Sequence, residues 1–221
     1  MDHSTFYPRK DDDGFRATLE KYRIEKPYLL FVSSLWPYKN AHGLIEAYSM
    51  LLSRYQIPQS LVIVGGLTTG NYQLKLANRV KDLGIENRVQ FLGHVVNRSE
   101  VRDLYVGADV FVYPSYLETF GLTVVESMAC GTPVVASDRG SLPEVAGDAA
   151  CLVDPDDHSA MTEAIWAILS DKSKRADYVS RGVRRAQQYT WERTASETLK
   201  AYELAVRLRA RRSAAIDERT A

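Results

Sequence analysis

The sequence has little of several features that would direct it to a particular class of protein. It has two cysteines in 221 residues, Cys130 and Cys151, and each lies among apolar neighbours. Two isolated cysteines of this kind predict reduced core residues in a cytosolic protein and argue against a disulfide framework. No apolar run approaches the ~20 residues that span a bilayer, and no signal peptide opens the chain. We therefore expect a cytoplasmic protein.

The chain also has no excess of charge of either sign. Lys plus Arg number 28 and Asp plus Glu number 28, so the formal net charge is zero. Because binding to nucleic acid depends on positive charge, this balance argues against nucleic acid as a partner. The remaining composition, 45% hydrophobic and 25% charged, is typical of a globular domain that can bury a substantial core.

Short apolar runs alternate with segments that have the composition of helices. The runs lie at about residues 28–33, 61–65, 88–92, 109–113, 133–137 and 150–153. Helices are expected at about 16–23, 41–54, 71–83, 99–107, 121–130, from Leu142 onward, and at 158–170, 173–188 and 191–211. This alternation predicts an α/β fold: a Rossmann-like, doubly wound parallel sheet of about six strands with helices on both faces. Ligands of such sheets bind at the carboxyl ends of the strands, here the loops after residues 34, 65, 93, 114 and 137.

We expect three segments along the chain. Residues 1–15 form an irregular opening, 16–206 form the domain, and 207–221 form a basic helical end or tail. The arginines of residues 207–212 fit a solvated helix end, and peripheral contact with an anionic membrane stays open as the alternative.

The most informative stretch is residues 118–133, which lies between two of the apolar runs. Gly121 is placed where a loop becomes a helix, so the backbone can come close to a ligand there. The first turn of such a helix has unpaired N–H groups that attract anions, phosphate above all. Glu118 and Glu126 are eight residues apart, which puts them within roughly 80° of one another if the helix reaches back to Glu118.

This stretch resembles the GT4-type retaining glycosyltransferases of the GT-B fold. The resemblance rests on the E-x7-E pair Glu118 and Glu126, on Tyr-Pro-Ser before it, on Phe-Gly-Leu between the two glutamates, and on Ala-Cys-Gly-Thr-Pro-Val-Val-Ala-Ser after it. It extends over about residues 2–202 and resembles only the C-terminal, nucleotide-sugar-binding half of such an enzyme. An N-terminal GT-B half would then be absent from this chain. The implied ligand is a nucleotide-sugar donor, UDP- or GDP-linked in preference to ADP-linked, with no other cofactor.

The resemblance implies roles for residues in the central stretch. Glu126 would accept hydrogen bonds from the ribose hydroxyls, and Glu118 would contact hydroxyls of the transferred sugar and support positive charge at its anomeric carbon. The backbone N–H groups of Phe120, Gly121 and Leu122 would hold the distal phosphate. The alternative is that both glutamates are ordinary solvent-exposed side chains that bind no ligand.

Three further residues are assigned from the loops after the first and third strands. Lys39 resembles the lysine that neutralises the diphosphate as the leaving group gains charge. Ser33 and Ser34 stand where many members have Gly-Arg, so the second cation expected at the donor is missing. His94 lies where the family places the nucleobase against the backbone, and a turn histidine without a ligand is equally compatible with its position.

Two other acidic groups have structural interpretations. Ser141 and Glu144, three residues apart with Pro143 between them, predict a capping box at the start of a helix. Residues 154–157, Asp-Pro-Asp-Asp, imitate a D-x-D metal motif but follow a strand and precede a helix, so we expect turn-and-cap roles. We therefore expect no essential metal.

The sequence favours the donor-binding part of a glycosyltransferase over two rivals. A glycosidase would use the two glutamates as acid and nucleophile, at carboxyl separations of ~5–9 Å. The glycine-opened helix and Lys39 favour phosphate instead. A non-catalytic nucleotide-sugar-binding module, or a partner subunit, stays open as the second alternative.

Overall fold

The computed structural model describes residues 1–9, 12–66 and 71–220, with side chains up to residue 209. Six strands form one sheet: β1 (Tyr28–Val32), β2 (Ser60–Val64), β3 (Val89–Gly93), β4 (Val110–Tyr113), β5 (Val134–Ser137) and β6 (Ala150–Val153). They pair in the order β3-β2-β1-β4-β5-β6, and every pair is parallel. The predicted Rossmann-like sheet is confirmed.

Helices cover both faces of the sheet. They are α1 (Asp13–Tyr22), α2 (Ala41–Tyr55), α3 (Tyr72–Asp82), α4 (Arg98–Gly107), α5 (Leu122–Ala129), α6 (Leu142–Ala146), α7 (His158–Ser170), α8 (Lys172–Ala186) and α9 (Trp191–Thr220). The pair α2 and α7 packs together, as does the pair α5 and α8, while α1 packs against α4. Because the sheet is covered on both faces, its central strands are apolar at successive positions: residues 28–31 and 110–112 have no exposed surface.

The first helix begins earlier than the expected 16–23. Asp12 caps α1, since its carboxylate accepts a hydrogen bond of 3.0 Å from the backbone N–H of Phe15. Part of the opening segment expected to be irregular is therefore helical. The helix ends at Tyr22, where Arg23 takes a left-handed conformation with φ of 53°.

The last helix continues beyond its expected end at residue 211. α9 has 30 residues and includes the basic segment. Arg207 lies 3.6 Å from Glu203 one turn earlier, in the geometry of an exposed ion pair. The side chains of residues 210–212 lie outside the described part. Across the described ranges, no helix has the length and apolar content that crossing a membrane requires.

The strand order reverses between β1 and β4, which are neighbours in the sheet but not in the chain. The loops that follow these two strands therefore diverge at a switch point, where sheets of this type bind ligands. Asn40 fixes the end of the first loop. It caps α2, with its Oδ1 accepting from the N–H of Gly43 at 3.0 Å, and its Nδ2 donates to the carbonyl of Pro155 at 2.9 Å.

Candidate functional site

Lys39 and Glu118 meet at the switch point. Lys39 ends the short 3-10 turn Pro37–Lys39 after β1, and Glu118 lies on the loop between β4 and α5. The Lys39 ammonium donates a hydrogen bond to the Glu118 carboxylate, with the two side chains only 14% and 10% exposed. The structure thus joins two residues that the sequence assigned separately to the diphosphate and the sugar.

Tyr113, the last residue of β4, completes this cluster. Its hydroxyl donates to the Glu118 carboxylate at 2.6 Å and accepts from Lys39 Nζ at 3.1 Å. The hydroxyl of Ser33 lies 3.4 Å away. The sequence pattern did not point to Tyr113. The available signal was a side chain with a polar tip at the carboxyl end of an otherwise apolar strand.

The cluster keeps Lys39 charged. Burial by itself lowers the pKa of the Lys39 ammonium, but the hydrogen bond to Glu118 and the interaction with Tyr113 outweigh it, so the pKa is raised overall. A lysine whose pKa lies above its ordinary value is a fixed cation at neutral pH. The site therefore offers positive charge beside a carboxylate, in a place largely shielded from water.

The backbone at Glu118 is fixed by the loop after β5. The N–H and the hydroxyl of Ser141 both donate to the Glu118 carbonyl, at 3.2 and 3.1 Å. Gly140 has φ of 62°, and a Cβ on it would lie 2.9 Å from the same carbonyl oxygen. The predicted capping box of Ser141 and Glu144 is wrong: Ser141 makes no side-chain cap, because its hydroxyl is used at Glu118.

Helix α5 begins beside this loop. Gly121 precedes its first residue with φ of 88°, a left-handed conformation suited to glycine, and a Cβ there would meet Leu142 Cδ2 at 2.5 Å. In the described part of the chain, the N–H groups of Gly121 and Leu122 donate to no acceptor. Phe120 is 38% exposed, and its ring contacts Tyr189 edge-on. The start of α5 thus has the unpaired N–H groups expected of a helix start that attracts anions.

Glu126 belongs to a second cluster. It is 7% exposed, and its carboxylate oxygens lie 3.4 Å from Arg98 Nη2 and 3.4 Å from the Tyr105 hydroxyl. Burial raises its pKa to about 7, against the opposing effects of Arg98 and Tyr105. Because α5 starts at Leu122, Glu118 is on the loop and not on the helix. No hydrogen bond connects the two glutamates among the described residues, so each is set in its own surroundings.

His94 and Ser34 are both exposed and lie outside the two clusters. His94 follows Gly93 at the end of β3 and lies near Gly66, where a Cβ would be 3.4 Å from its own Cβ. The carbonyl of Ser34 accepts from the N–H of Trp36 at 2.9 Å. In the described ranges, neither side chain has a hydrogen-bond partner, and their assignment to the donor stays a prediction.

The acidic residues 154–157 have the predicted turn-and-cap roles. Asp157 caps α7 by accepting from the N–H of Ala160 at 2.8 Å, and Asp154 accepts from the N–H of Asp156 at 3.0 Å. Arg139, about which the sequence was silent, pairs with Asp154 and Asp156 at 2.7 and 2.6 Å. Within the described ranges, no group of three His, Cys, Asp or Glu side chains is placed to hold a metal ion.

The geometry suits an anionic ligand with hydroxyl groups. One fixed cation, unpaired N–H groups at a helix start and two largely buried carboxylates lie on the loops after β1 and β4 and on α5. The cavity of about 270 Å³ lined by His3, Phe6, Tyr7, Pro8, Ala129, Val183, Ala186 and Gln187 is elsewhere and contains none of these groups.

A family model and several relatives match this chain. The family model described as "Glycosyl transferases group 1" matches residues 16–185. O-antigen chain mannosyltransferase B of Escherichia coli is 37% identical over 202 residues, an alignment that covers 91% of this chain and 52% of that protein. The chain thus spans about half the length of the curated relatives it matches.

Solved structures show the same fold. Sucrose-phosphate synthase from Thermosynechococcus elongatus superposes with a TM-score of 0.78 at 28% identity, over 94% of this chain and 51% of that one. The Anabaena protein HepE, solved in complex with UDP and glucose, has a TM-score of 0.78 at 26% identity, over 91% and 55% of the two chains.

Proposed function

Because the chain belongs to the group 1 glycosyl transferases, we propose that it holds the donor of a glycosyl transfer, a sugar linked to a nucleoside diphosphate. The observation that carries the proposal is the cluster of Lys39 and Glu118 at the switch point, directly before the glycine-opened start of α5. A cation and free N–H groups suit the diphosphate, and a fixed carboxylate suits sugar hydroxyls.

Each side chain has a distinct part in the proposed complex. Lys39 and the N–H groups of Phe120, Gly121 and Leu122 bind the diphosphate. Glu118 accepts hydrogen bonds from the transferred sugar. Glu126, in its own largely buried cluster, accepts from the ribose, while His94 and Ser34 lie along the base and phosphate.

The proposed reaction breaks the bond between the anomeric carbon and the diphosphate oxygen. The bonding electrons stay on the diphosphate, and Lys39 stabilises the charge that builds up there more strongly in the transition state than in the ground state. Glu118 supports the positive charge that develops on the anomeric carbon. An acceptor hydroxyl oxygen then bonds to that carbon, and its proton passes to the departing diphosphate. Retention of the anomeric configuration is included because the motif around Glu118 and Glu126 resembles that of retaining enzymes.

The chemical class of the donor is proposed from the relatives. One relative is named a mannosyltransferase, and HepE was solved with UDP and with UDP-glucose. We therefore expect a hexose linked to UDP or GDP, in preference to ADP.

Transfer requires a second part under this proposal. The relatives are about twice as long as this chain, so the acceptor and the remaining catalytic groups are assigned to an N-terminal GT-B half that is absent here. The chain alone is then a binding domain that transfers nothing by itself.

Isothermal titration of the purified chain with UDP, GDP and ADP and with their glucose and mannose conjugates tests the proposal. We expect saturable binding of UDP or GDP. Lys39→Ala should weaken this binding, whereas Lys174→Ala, which removes an exposed lysine of α8, should leave it unchanged. Absence of binding by every nucleotide, or binding unaffected by Lys39→Ala, would overturn the assignment of the site.

A further inference from the structure

The Tyr113 side chain is held rigidly beneath the candidate donor site. It is 2% exposed, and its ring stacks on Phe111 at 5.7 Å with an interplanar angle of 18°. On another side, the ring of Phe31 lies 6.0 Å away. These contacts fix the direction of the hydroxyl, which emerges at the carboxyl end of β4.

The hydroxyl has a defined set of hydrogen bonds. A phenol has one hydrogen and two lone pairs. Its hydrogen goes to Glu118 at 2.6 Å, and one lone pair accepts from Lys39 at 3.1 Å. Ser33, 3.4 Å away, must then be a donor if it contributes a hydrogen bond. Burial, together with the hydrogen bond to Glu118, raises the pKa of Tyr113, so the hydroxyl keeps its proton at neutral pH.

A bound diphosphate would change the hydrogen bonds within this cluster. Without ligand, the charge of Lys39 is directed to Glu118. A diphosphate draws the ammonium toward itself, and Glu118, with its side chain 10% exposed, then loses one of its two hydrogen-bond donors among the described residues. Leaving a buried carboxylate without any donor is costly, so the remaining bond from Tyr113 decides whether the change is tolerated.

We infer that Tyr113 is a positioning residue whose hydroxyl holds the Glu118 carboxylate in place while Lys39 turns to a diphosphate. This inference rests on the proposed function. It assigns to Tyr113 no contact with the donor itself: the tyrosine acts through Glu118.

A double-mutant cycle on nucleotide binding tests the inference. UDP and GDP are titrated into the wild type, Tyr113→Phe, Glu118→Ala and the double variant, using whichever nucleotide the wild type binds more tightly. Tyr113→Phe keeps the ring and removes the hydroxyl, and we expect about a tenfold loss of affinity, the size of one hydrogen bond to a charged group. In the Glu118→Ala background, the same change is expected to alter affinity by less than about twofold, since no carboxylate is left to hold.

Tyr28→Phe is the matched control. Tyr28 is also fully buried, and its hydroxyl donates to the carbonyl of Leu104 at 2.8 Å, but it starts β1, at the amino end of the parallel sheet, away from the carboxyl end where Tyr113 lies. The Tyr28→Phe substitution should lower the unfolding midpoint in urea without changing nucleotide affinity. If Tyr113→Phe did the same, or lost equal affinity with and without Glu118, the positioning role would be overturned while the proposed function stood. If the wild type bound neither nucleotide, the proposed function and this role would both be overturned.

Discussion

Lys39 and Glu118, 79 positions apart in the chain, form a largely buried ion pair across the switch point of the sheet. The pair costs desolvation, which must be offset by its Coulomb attraction, by the hydrogen bond that Tyr113 donates to Glu118 and by the one it accepts from Lys39. Such an arrangement fixes the positions of a cation and a carboxylate before any ligand arrives. It also means that a ligand must compete with Glu118 for Lys39.

The two glutamates should separate by role. Glu126→Ala should weaken the binding free energy of UDP or GDP by about 1–3 kcal/mol, because hydrogen bonds from the ribose to a carboxylate are lost. Glu118→Ala should not weaken binding of the nucleoside diphosphate, because it removes the carboxylate that competes for Lys39, but it should weaken binding of the sugar-bearing donor. Calorimetric titration of both ligands into both variants measures this, with Glu20→Ala as an exposed control. Equal losses in all four titrations would remove the assignment of roles.

Burial of Glu126 predicts a dependence of stability on pH. Its pKa rises from 4.5 in the unfolded chain to about 7 in the folded one. The folded chain therefore holds the proton more tightly, and the free energy of unfolding falls as pH rises from about 4.5 to about 7. The contribution lost is about 3 kcal/mol at 1.36 kcal/mol for each pH unit.

Urea unfolding at pH 5 and pH 8 measures this change, and Glu126→Gln provides the comparison. The glutamine keeps the shape of the side chain and has no proton to lose in this range. We expect the glutamine variant to lose much less stability between the two pH values than the wild type. An equal pH dependence in both proteins would mean that Glu126 does not titrate near neutral pH.

The sheet could be predicted from the sequence because its signal is local. Each strand of a covered parallel sheet is a short apolar run, and each run lies between turn residues. The helix ends were less accurate, since they depend on single contacts. Asp12 starts α1 earlier than the apolar pattern suggests, because its carboxylate reaches the N–H of Phe15.

The contacts within the candidate site could not be predicted in the same way. The spacing of Glu118 and Glu126 would put them on one face only if the helix reached back to Glu118, and α5 begins between them, at Leu122, as the expected helix at 121–130 implied. The hydroxyl of Ser141 was assigned to a local cap, yet it donates to the Glu118 carbonyl 23 positions away. Lys39 and Ser33 reach Tyr113 from the loop after a different strand, β1, and Arg98 reaches Glu126 from a different helix, α4. Such contacts between distant segments are not encoded in a local pattern.

Nucleotide binding should not require a divalent metal. The acidic residues 154–157 are used in a turn, a helix cap and ion pairs with Arg139. Titration of UDP or GDP before and after EDTA, and again with added magnesium or manganese, should give the same affinity. Restoration of binding by either metal after chelation would require a new interpretation of Asp154 and Asp156.

The chain alone should bind nucleotide and transfer no sugar, because the proposal assigns the acceptor-side groups to a second half. Donor turnover is measured with UDP- and GDP-sugars and added sugar acceptors, by release of the free nucleoside diphosphate. Transfer by the isolated chain would show that the second half is dispensable. Transfer only after an N-terminal half from a relative is added would favour the enzyme over the non-catalytic module.

Ser34 leaves Lys39 as the main cation that the motif places near the leaving group. A diphosphate carries about two negative charges, whereas the start of a helix supplies only about half a positive charge. Lys39→Ala should therefore cost more nucleotide affinity than the loss of one of two redundant cations would. Its effect is compared with that of Lys174→Ala, which removes the same charge from an exposed position on α8.

The converse change tests the same electrostatics. Ser34 is exposed, so an arginine can be accommodated there. Ser34→Arg should make the nucleoside diphosphate bind more tightly, because it adds the second cation. The added charge is open to solvent and should be screened: the Debye length falls from about 10 Å at 0.1 M salt to about 3 Å at 1 M. Lys39, with its side chain 14% exposed, should be screened much less. Calorimetry at the two salt concentrations should thus show a gain from Ser34→Arg that shrinks with salt and a loss from Lys39→Ala that largely persists. Wild-type affinity in Lys39→Ala would place the phosphates elsewhere, and a salt-independent gain in Ser34→Arg would point to a direct contact shielded from solvent.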